Sequence, residues 1–403
     1  MVQKSDYKFL QGDALSVLKG IPDKSVQCCV TSPPYYGLRD YGTGTWIGGD
    51  PNCPHYRKSK ASEFTSTGHK AMQEIGSAVG DGIYKTVCPI CGAVREDMQI
   101  GLEESPEQYI QRLVEVFREV KRVLKDDGTL WVNIGDTYNT SSYHKTEESN
   151  GYGKQGTNKG SFENTVDRPT ATCCKPKDLI GVPWMLAFAL RNDGWWLRQD
   201  IIWDRPNPMP EPVKDRCTKA HEYVFLLSKS PTYLFNHEKM LEPANYDGRK
   251  DTVMKGSIKY KDSEYLQNGK TNTMSYKGHE RWDFKVIDGY EEAVPVRNRR
   301  DVWHIPVSSY SGAHFATYPE ELVVPCILAG SNEGDTVLDP FNGSGTTGVV
   351  ALKNGRKYVG IDLNDKYIKL SEERFDEIFF DKKPLVEAKK DEQYERRFRG
   401  LDV

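Results

Sequence analysis

A glycine-rich segment combines a strand end, a carboxylate and a tight turn. The run Asp339–Gly348 reads Asp-Pro-Phe-Asn-Gly-Ser-Gly-Thr-Thr-Gly, directly after the apolar stretch 336–338. Glycines let the backbone turn tightly and approach a ligand closely. Asp362 lies at the end of the next predicted strand, where an acid accepts hydrogen bonds from a ribose diol. The pattern predicts a nucleotide-type ligand rather than a bare strand–helix turn.

Two ligand classes fit the glycine spacing. Gly343-x-Gly345-x-x-Gly348 matches the dinucleotide fingerprint, so an NAD-dependent oxidoreductase is one alternative. Asp339 would repel a pyrophosphate but suits a ligand with a positive charge and an amino group, and S-adenosylmethionine has both. The residues therefore favour a methyl donor. The side chains and glycines predicted to hold it are Asp339, Phe341, Asn342, Gly343, Ser344, Gly345, Thr346, Thr347 and Asp362.

A second loop, Thr31-Ser32-Pro33-Pro34-Tyr35, follows a predicted buried strand at 27–30. The two prolines fix φ and carry no N–H donor, so carbonyl oxygens are left as acceptors. Ser32 adds another acceptor, and Tyr35 supplies a flat apolar face. The loop suits a planar group with an exocyclic amine. An exposed recognition peptide or a plain turn is the alternative, which the position at the end of a core strand disfavours.

Four residues have the spacing of metal ligands. Cys53 and His55 form a Cys-x-His pair, and Cys88 and Cys91 form a Cys-x-x-Cys pair. Together they make a sulfur and nitrogen set suited to tetrahedral zinc, and four protein ligands leave no open position for catalysis. The pattern predicts a structural zinc site, with His69 as a substitute ligand. Unrelated loop cysteines are the alternative.

The elements that must position these residues alternate between strand and helix. The sequence predicts strand–helix–strand in 1–45, a helix then a strand in 100–135, and alternating strands and helices in 301–385. Ser105-Pro106-Glu107-Gln108 predicts a helix start, and Asp127-Gly128 its end. Such alternation predicts an α/β fold with a doubly wound, mainly parallel sheet and helices on both faces.

Composition excludes some function classes. The 403 residues have a net charge of −3, which excludes a polybasic DNA-coating protein but allows a local basic cleft. Apolar runs are too short to span a membrane, and the first residues lack the apolar stretch of a secretion signal. A cytoplasmic protein without membrane contact is predicted.

Taken together, these motifs resemble the S-adenosylmethionine-dependent DNA amino-methyltransferases. In that family a D/N/S-P-P-Y/F loop holds the flipped base, and an acid-Pro-Phe-x-Gly-x-Gly turn holds the methyl donor. Thr31–Tyr35 and Asp339–Gly345 match these elements in the order of the β group. Asp13 and Ala14 lie in a Gly-Asp-Ala-Leu element that the resemblance places near the cofactor's adenine. Phe315 and Pro319 belong to an element that it places against the methionine moiety.

The resemblance implies a Rossmann-like methyltransferase domain formed by 1–45, 100–239 and 301–385. It leaves 46–99 as the zinc-binding insertion, 240–300 as the target-recognition region and 386–403 as a tail. Double-stranded DNA is the implied substrate, and a cognate restriction endonuclease is an implied partner. A basic cluster in the target-recognition region is predicted to hold DNA phosphates, through Arg297, Arg299 and Arg300.

The resemblance also implies a direct methyl transfer in which Ser32, Pro33, Pro34 and Tyr35 form the catalytic loop, with Thr31 at the cofactor. Ser32 Oγ and the Pro33 carbonyl are expected to accept hydrogen bonds from the amine, and Tyr35 to stack on the flipped base. Serine before Pro-Pro is usual for cytosine-N4 enzymes, whereas an acid or asparagine is usual for adenine-N6 enzymes. Cytosine N4 is therefore predicted, with adenine N6 as the alternative. A non-catalytic DNA-binding protein is disfavoured by the intact motifs.

Overall fold

The computed structural model describes residues 2–37, 43–57, 82–83, 87–139, 174–243, 282–287, 290–307 and 318–380. An eight-stranded sheet forms the centre of this part of the chain. Its strands, in spatial order, are β1 (Tyr7–Gln11), β15 (Lys357–Asp362), β14 (Thr336–Asp339), β2 (Val26–Thr31), β7 (Leu124–Ile134), β9 (His221–Ser228), β8 (Trp196–Asp204) and β13 (Val302–His304).

The first five strands of the sheet are parallel to one another. β9 is antiparallel to both of its neighbours, and β13 is parallel to β8. The predicted α/β class with a mainly parallel sheet is therefore confirmed.

Smaller sheets lie outside this one. In the described residues they pair β3 (Thr45–Ile47) with β6 (Val94–Glu96), β4 (Tyr56–Arg57) with β5 (Gly82–Ile83), and β12 (Tyr290–Asn298) with both β10 (Leu241–Pro243) and β11 (Trp282–Ile287). The first two pairs fall almost wholly in the segment 46–99, and the third sheet falls in 240–300. The division into an insertion and a target-recognition region stays a prediction.

Six α-helices lie in the described residues: α1 (Ala14–Leu18), α2 (Pro106–Val123), α3 (Val182–Asn192), α4 (Glu320–Gly330), α5 (Thr346–Lys353) and α6 (Asp365–Phe375). Ser105 caps α2 as predicted, because its side chain accepts a hydrogen bond from the Gln108 amide. The helix ends at Val123, earlier than Asp127-Gly128 predicted. Leu124 is fully buried and already pairs with Val26 on β2, so the strand begins there.

Helices cover both faces of the sheet. Cys29 on β2 packs in the core that contains the buried residues of α2 and α3. Its neighbours Cys28 and Val30 point the other way, into the core that contains those of α4 and α5. This alternation along one strand is what a doubly wound sheet requires. Among the described residues, no helix is both long and apolar enough to cross a membrane.

The two predicted ligand loops leave adjacent central strands. β2 continues through α2 to β7 on one side, and β14 continues through α5 to β15 on the other. The carboxyl ends of β2 and β14 thus meet where the strand order reverses. In open α/β sheets, ligands bind in the crevice at this point.

Candidate active site

A buried hydrogen-bond network joins the ends of β2 and β14. Thr31 Oγ1 donates to Asp339 Oδ1 at 2.6 Å, and the Phe341 amide donates to the same oxygen at 3.0 Å. Asp339 Oδ2 accepts from the Thr347 hydroxyl at 2.8 Å and from the Tyr318 hydroxyl at 3.1 Å. The predicted cofactor residues Thr31, Asp339 and Thr347 therefore form one cluster, although they lie far apart in the sequence.

Asp339 lies beneath the glycine turn rather than on its surface. Its side chain is almost fully buried, and burial raises the pKa of its carboxyl group, against the effect of the four hydrogen bonds. Both carboxylate oxygens are engaged by the protein. When ionised, the carboxylate acts on a cationic ligand through its charge, which is weakly screened in a buried position. Direct contact with the ligand's ammonium stays a prediction.

The glycine turn reaches the second acid. Gly343 has φ of 52° and Gly345 has φ of 76°, conformations that favour glycine. The Gly343 amide donates to Asp362 Oδ2 at 2.8 Å, and the Asn364 amide donates to Oδ1 at 2.9 Å. Burial raises the pKa of Asp362 to about 7. A Cβ at Gly343 would meet nothing nearer than the Phe341 carbonyl oxygen at 4.0 Å, so the turn is open there, as a cofactor site requires.

Several predicted cofactor residues stabilise the glycine turn through hydrogen bonds to the rest of the protein. The Asn342 side chain donates to Ser371 Oγ at 2.8 Å and accepts from the Tyr358 hydroxyl at the same distance. Arg374 Nη1 donates to Thr346 Oγ1 at 3.0 Å and to the Ser344 carbonyl at 3.1 Å. Side chains of Asn342, Ser344 and Thr346 are buried. The half-buried Phe341 and the backbone are what the turn offers to a ligand.

The remaining predicted cofactor residues that the structure describes lie at the same edge of the sheet. Asp13 caps α1, where its side chain accepts from the Ser16 amide at 3.0 Å, and Ala14 is buried. The preceding Gly12 amide donates to the Asp362 carbonyl, so Asp13 lies close to the second acid. Pro319 is the buried residue before α4, and Phe315 lies outside the described residues.

The Ser-Pro-Pro-Tyr loop is held by an asparagine on β7. Ser32 Oγ lies 3.3 Å from Asn133 Oδ1, and Asn133 Nδ2 donates to the Tyr223 carbonyl at 3.2 Å. A carbonyl only accepts, so this second bond fixes the orientation of the amide. The Ser32 hydroxyl must then donate to Asn133. Its lone pairs are left to accept from another donor.

Tyr35 is anchored at both its ring and its hydroxyl. The hydroxyl donates to Glu222 Oε2 at 2.6 Å, and Arg205 Nη1 donates to Glu222 Oε1 at 3.0 Å. A Cβ at Gly135 would come within 2.7 Å of the Tyr35 ring, so the ring packs directly on that glycine. The next residue, Tyr36, is buried beside Tyr109 in the core.

The proline carbonyls are not equivalent. The Tyr109 hydroxyl donates to the Pro34 carbonyl at 2.8 Å, whereas the Pro33 carbonyl has no hydrogen-bond partner within the part of the chain that the structure describes. Pro33 thus offers the acceptor that the loop was predicted to present next to Ser32.

Sequence reasoning missed three residues of this site: Asn133, Glu222 and Tyr318. Asn133 breaks the apolar run 130–134, and Glu222 precedes the apolar run 223–227. A polar residue inside or beside a buried strand is the signal that could have pointed to Asn133 and Glu222, because burial of a polar group requires a partner.

The structure also brings together the four predicted metal ligands. The ligand atoms of Cys53, His55, Cys88 and Cys91 all lie within 4.8 Å of one another. His69, the substitute ligand, lies outside the described residues.

The predicted phosphate-binding arginines have partners of their own. Arg297 and Arg300 both donate to Glu242 Oε1, at 2.9 and 3.3 Å. The Arg299 guanidinium lies 4.5 Å from the Trp303 ring centre, and burial lowers its pKa. Their contact with DNA stays a prediction.

Comparison with known proteins agrees with this geometry. A family model described as DNA methylase matches residues 26–373. The Type II methyltransferase M.Cfr9I of Citrobacter freundii is 39% identical over 364 residues, which cover 90% of this chain and 86% of that protein. The Type II methyltransferase M.SmaI of Serratia marcescens is 38% identical over 367 residues, covering 91% and 90%. The chain therefore belongs to the DNA methylase family, the S-adenosylmethionine-dependent amino-methyltransferases of DNA, and to its β group.

Proposed function

We propose that this chain is a site-specific DNA methyltransferase that acts on the exocyclic N4 of cytosine. The observation that carries the proposal is Ser32, whose hydroxyl donates to Asn133 and therefore faces a substrate as a neutral acceptor. Serine in this position is usual for the cytosine-N4 members of the family. Adenine N6 is the alternative, because adenine also offers an amine beside a ring acceptor.

The catalytic loop prepares the amine for attack. The amine lone pair is delocalised into the ring and is a poor nucleophile. Hydrogen bonds from the amine to Ser32 Oγ and the Pro33 carbonyl favour a pyramidal nitrogen and stabilise its developing positive charge. No covalent intermediate with the protein is needed, so the buried cysteines of β2 have no part in the reaction.

The target base has to leave the DNA stack before it can reach this loop. Tyr35 supplies the platform on which the flipped base stacks. Its bond to Glu222 and its packing on Gly135 fix the ring before the base arrives. Such preorganisation lowers the entropy cost of positioning the amine.

S-adenosylmethionine would supply the electrophilic methyl group: the carbon–nitrogen bond forms as the methyl–sulfur bond breaks, S-adenosylhomocysteine leaves, and the nitrogen loses one proton. We assign its ribose hydroxyls to the Asp362 carboxylate, its adenine to the neighbourhood of Asp13, and its cationic end to the turn above Asp339. The NAD-dependent oxidoreductase alternative has no support once the family is known, because its one basis was the Gly343-x-Gly345-x-x-Gly348 spacing.

We further propose that the chain belongs to a restriction-modification system in the cytoplasm. The relatives M.Cfr9I and M.SmaI are Type II methyltransferases. A cognate endonuclease acting on the same site is the proposed partner, and the methyl group is what would protect the DNA from it.

Product analysis tests the proposed base. DNA of mixed sequence is incubated with the purified protein and S-adenosylmethionine, digested to nucleosides and analysed by mass spectrometry. N4-methylcytosine is the expected product, and a reaction without the methyl donor is the control. N6-methyladenine without N4-methylcytosine would reverse the base assignment, and no methylated nucleoside from DNA that contains the recognition site would overturn the function.

A further inference from the structure

We propose that one zinc ion binds in a closed structural site formed by Cys53, His55, Cys88 and Cys91. This site would stabilise β3 and β6, the chain segments next to the catalytic loop. The four side chains come from two stretches that are 33 residues apart, yet their ligand atoms lie within 4.8 Å of one another. Nothing in the methyl transfer itself uses these residues, so the proposal does not depend on the target base.

Two of the distances match the edges of a zinc tetrahedron. With Zn–S near 2.3 Å and Zn–N near 2.0–2.1 Å, tetrahedral geometry places two sulfurs about 3.8 Å apart and a sulfur and a nitrogen about 3.6 Å apart. Cys53 Sγ lies 3.7 Å from Cys88 Sγ, and Cys91 Sγ lies 3.6 Å from His55 Nδ1. A disulfide would need about 2.0 Å between sulfurs.

The surroundings hold the ligands in this arrangement. The His55 ring stacks on Trp46 of β3, with centroids 4.5 Å apart and an angle of 13°. Gly92 donates its amide to the Cys88 carbonyl, which closes the Cys-x-x-Cys turn. A Cβ at Gly49 would lie 2.8 Å from Cys91 Sγ, so only glycine fits beside that sulfur.

The donor set selects the class of metal. Three sulfurs and one imidazole nitrogen suit zinc, whereas calcium and magnesium require oxygen ligands. Four protein ligands complete the tetrahedron and leave no position for a water or a substrate. The ion is therefore structural.

Among the described residues near the zinc ligands, few large apolar side chains are buried. Large apolar side chains near the ligands are exposed to solvent, at 53% for Ile47, 51% for Val87, 61% for Ile90 and 49% for Val94. A segment that buries so little apolar surface needs another source of folding free energy, which metal binding supplies.

The zinc ligands connect to the catalytic loop through β6. Arg95 on β6 forms a buried ion pair with Asp97 at 2.7 Å, and the chain then runs to Gly101. The Gly101 carbonyl accepts from the Gly37 amide at 2.8 Å, and a Cβ at Gly101 would lie 3.0 Å from the Tyr35 carbonyl oxygen. The same metal that orders β3 and β6 thus supports the end of the base-binding loop.

Metal analysis of the full chain is the first test. Protein purified under reducing conditions without chelators is expected to contain about one zinc per chain. Cys88→Ser is expected to lose it, whereas Cys217→Ser is the matched control, because Cys217 is an exposed cysteine outside the cluster. Zinc-depleted protein is expected to bind S-adenosylhomocysteine as before and to lose DNA methylation.

Cobalt substitution keeps the proposal testable if Cys88→Ser fails to fold. Co²⁺ bound to the wild-type chain is expected to show the strong visible absorption of a tetrahedral site, together with thiolate-to-cobalt charge transfer. Protein without metal in which His55 and Trp46 are nonetheless ordered would overturn the proposal. So would full zinc content in Cys88→Ser, or a weak, octahedral cobalt spectrum.

Discussion

If Asp362 holds the cofactor as proposed, cofactor binding should depend on pH. Burial raises its pKa to about 7, well above the ~3.9 of an unperturbed aspartate. The ionised carboxylate accepts hydrogen bonds from the two ribose hydroxyls more strongly than the neutral acid does, so a proton on Asp362 competes with the ligand. We expect the affinity for S-adenosylhomocysteine to fall as the pH drops below about 7, by up to roughly tenfold per pH unit, and to level off above it.

Calorimetry at several pH values measures this effect. Binding below pH 7 is expected to release a proton, which titrations in buffers of different ionisation enthalpy detect. Asp362→Asn has no proton to release, so its affinity should be weaker at high pH and independent of pH around 7. The same pH dependence in Asp362→Asn would show that another group is responsible.

Tyr35 is proposed to contact the flipped base and not the cofactor. Tyr35→Ala should weaken methyl transfer by about 1–3 kcal/mol through lost stacking, with unchanged affinity for S-adenosylhomocysteine. Tyr35→Phe keeps the ring and loses only the hydroxyl contacts with Glu222 and Asn133, so its loss should be smaller. Single-turnover rates and calorimetry on both variants make the comparison. A parallel loss of cofactor affinity in Tyr35→Ala would place the ring against the cofactor instead.

Residue types were predictable here, but their partners were not. The sequence predicted Asp339 and Thr31 as ligand-site residues from two separate motifs. That Thr31 donates directly to Asp339 depends on β2 and β14 being neighbours, which no local spacing reveals. Asn133 and Glu222 belong to no motif with a recognisable spacing, so their contacts with the catalytic loop required the structure.

Among the elements, α5 shows how closely the glycine turn is packed. A Cβ at Gly348 would lie 2.5 Å from the Tyr358 ring and 2.6 Å from the Phe375 ring. Gly348→Ala should therefore push α5 away from β15 and cost about 1–3 kcal/mol of stability. Gly20→Ala is the control, since its Cβ would meet nothing nearer than 3.4 Å.

Thermal and urea unfolding of these two variants provide the measurement. Gly348→Ala should also lower the affinity for S-adenosylhomocysteine, because α5 carries the turn at its start. Equal stability of the two variants would mean that the contact between α5 and β15 is looser than described.

Elements with strong local signals were the ones that the sequence predicted best. Ser105 and Pro106 mark the start of α2, and the structure begins the helix there. The end of α2 was misplaced because Leu124 gains more from pairing with β2 and from burial than from continuing the helix. The antiparallel placement of β9 between β7 and β8 is set by pairing between strands, and the local sequence pattern does not predict it.

At the scale of the whole molecule, one edge of the sheet carries both proposed ligand loops. The base loop after β2 and the cofactor turn after β14 leave neighbouring strands and are joined by the Thr31–Asp339 bond. On the proposed assignment, a flipped base and a methyl donor would be held by adjacent loops. Apart from Thr31, the two loops are proposed to contact different ligands, so we expect substitutions in each to have separable effects.

Ser32→Ala, measured for single-turnover methyl transfer and for S-adenosylhomocysteine affinity in the same preparation, tests this arrangement most directly. Ser32 Oγ contacts Asn133 and not the glycine turn, so cofactor affinity should be unchanged. Loss of one hydrogen-bonding group that stabilises developing charge should slow methyl transfer about 10²–10³-fold. Full-rate transfer by Ser32→Ala, or a loss of cofactor affinity as large as the loss of rate, would contradict the assignment of the two loops.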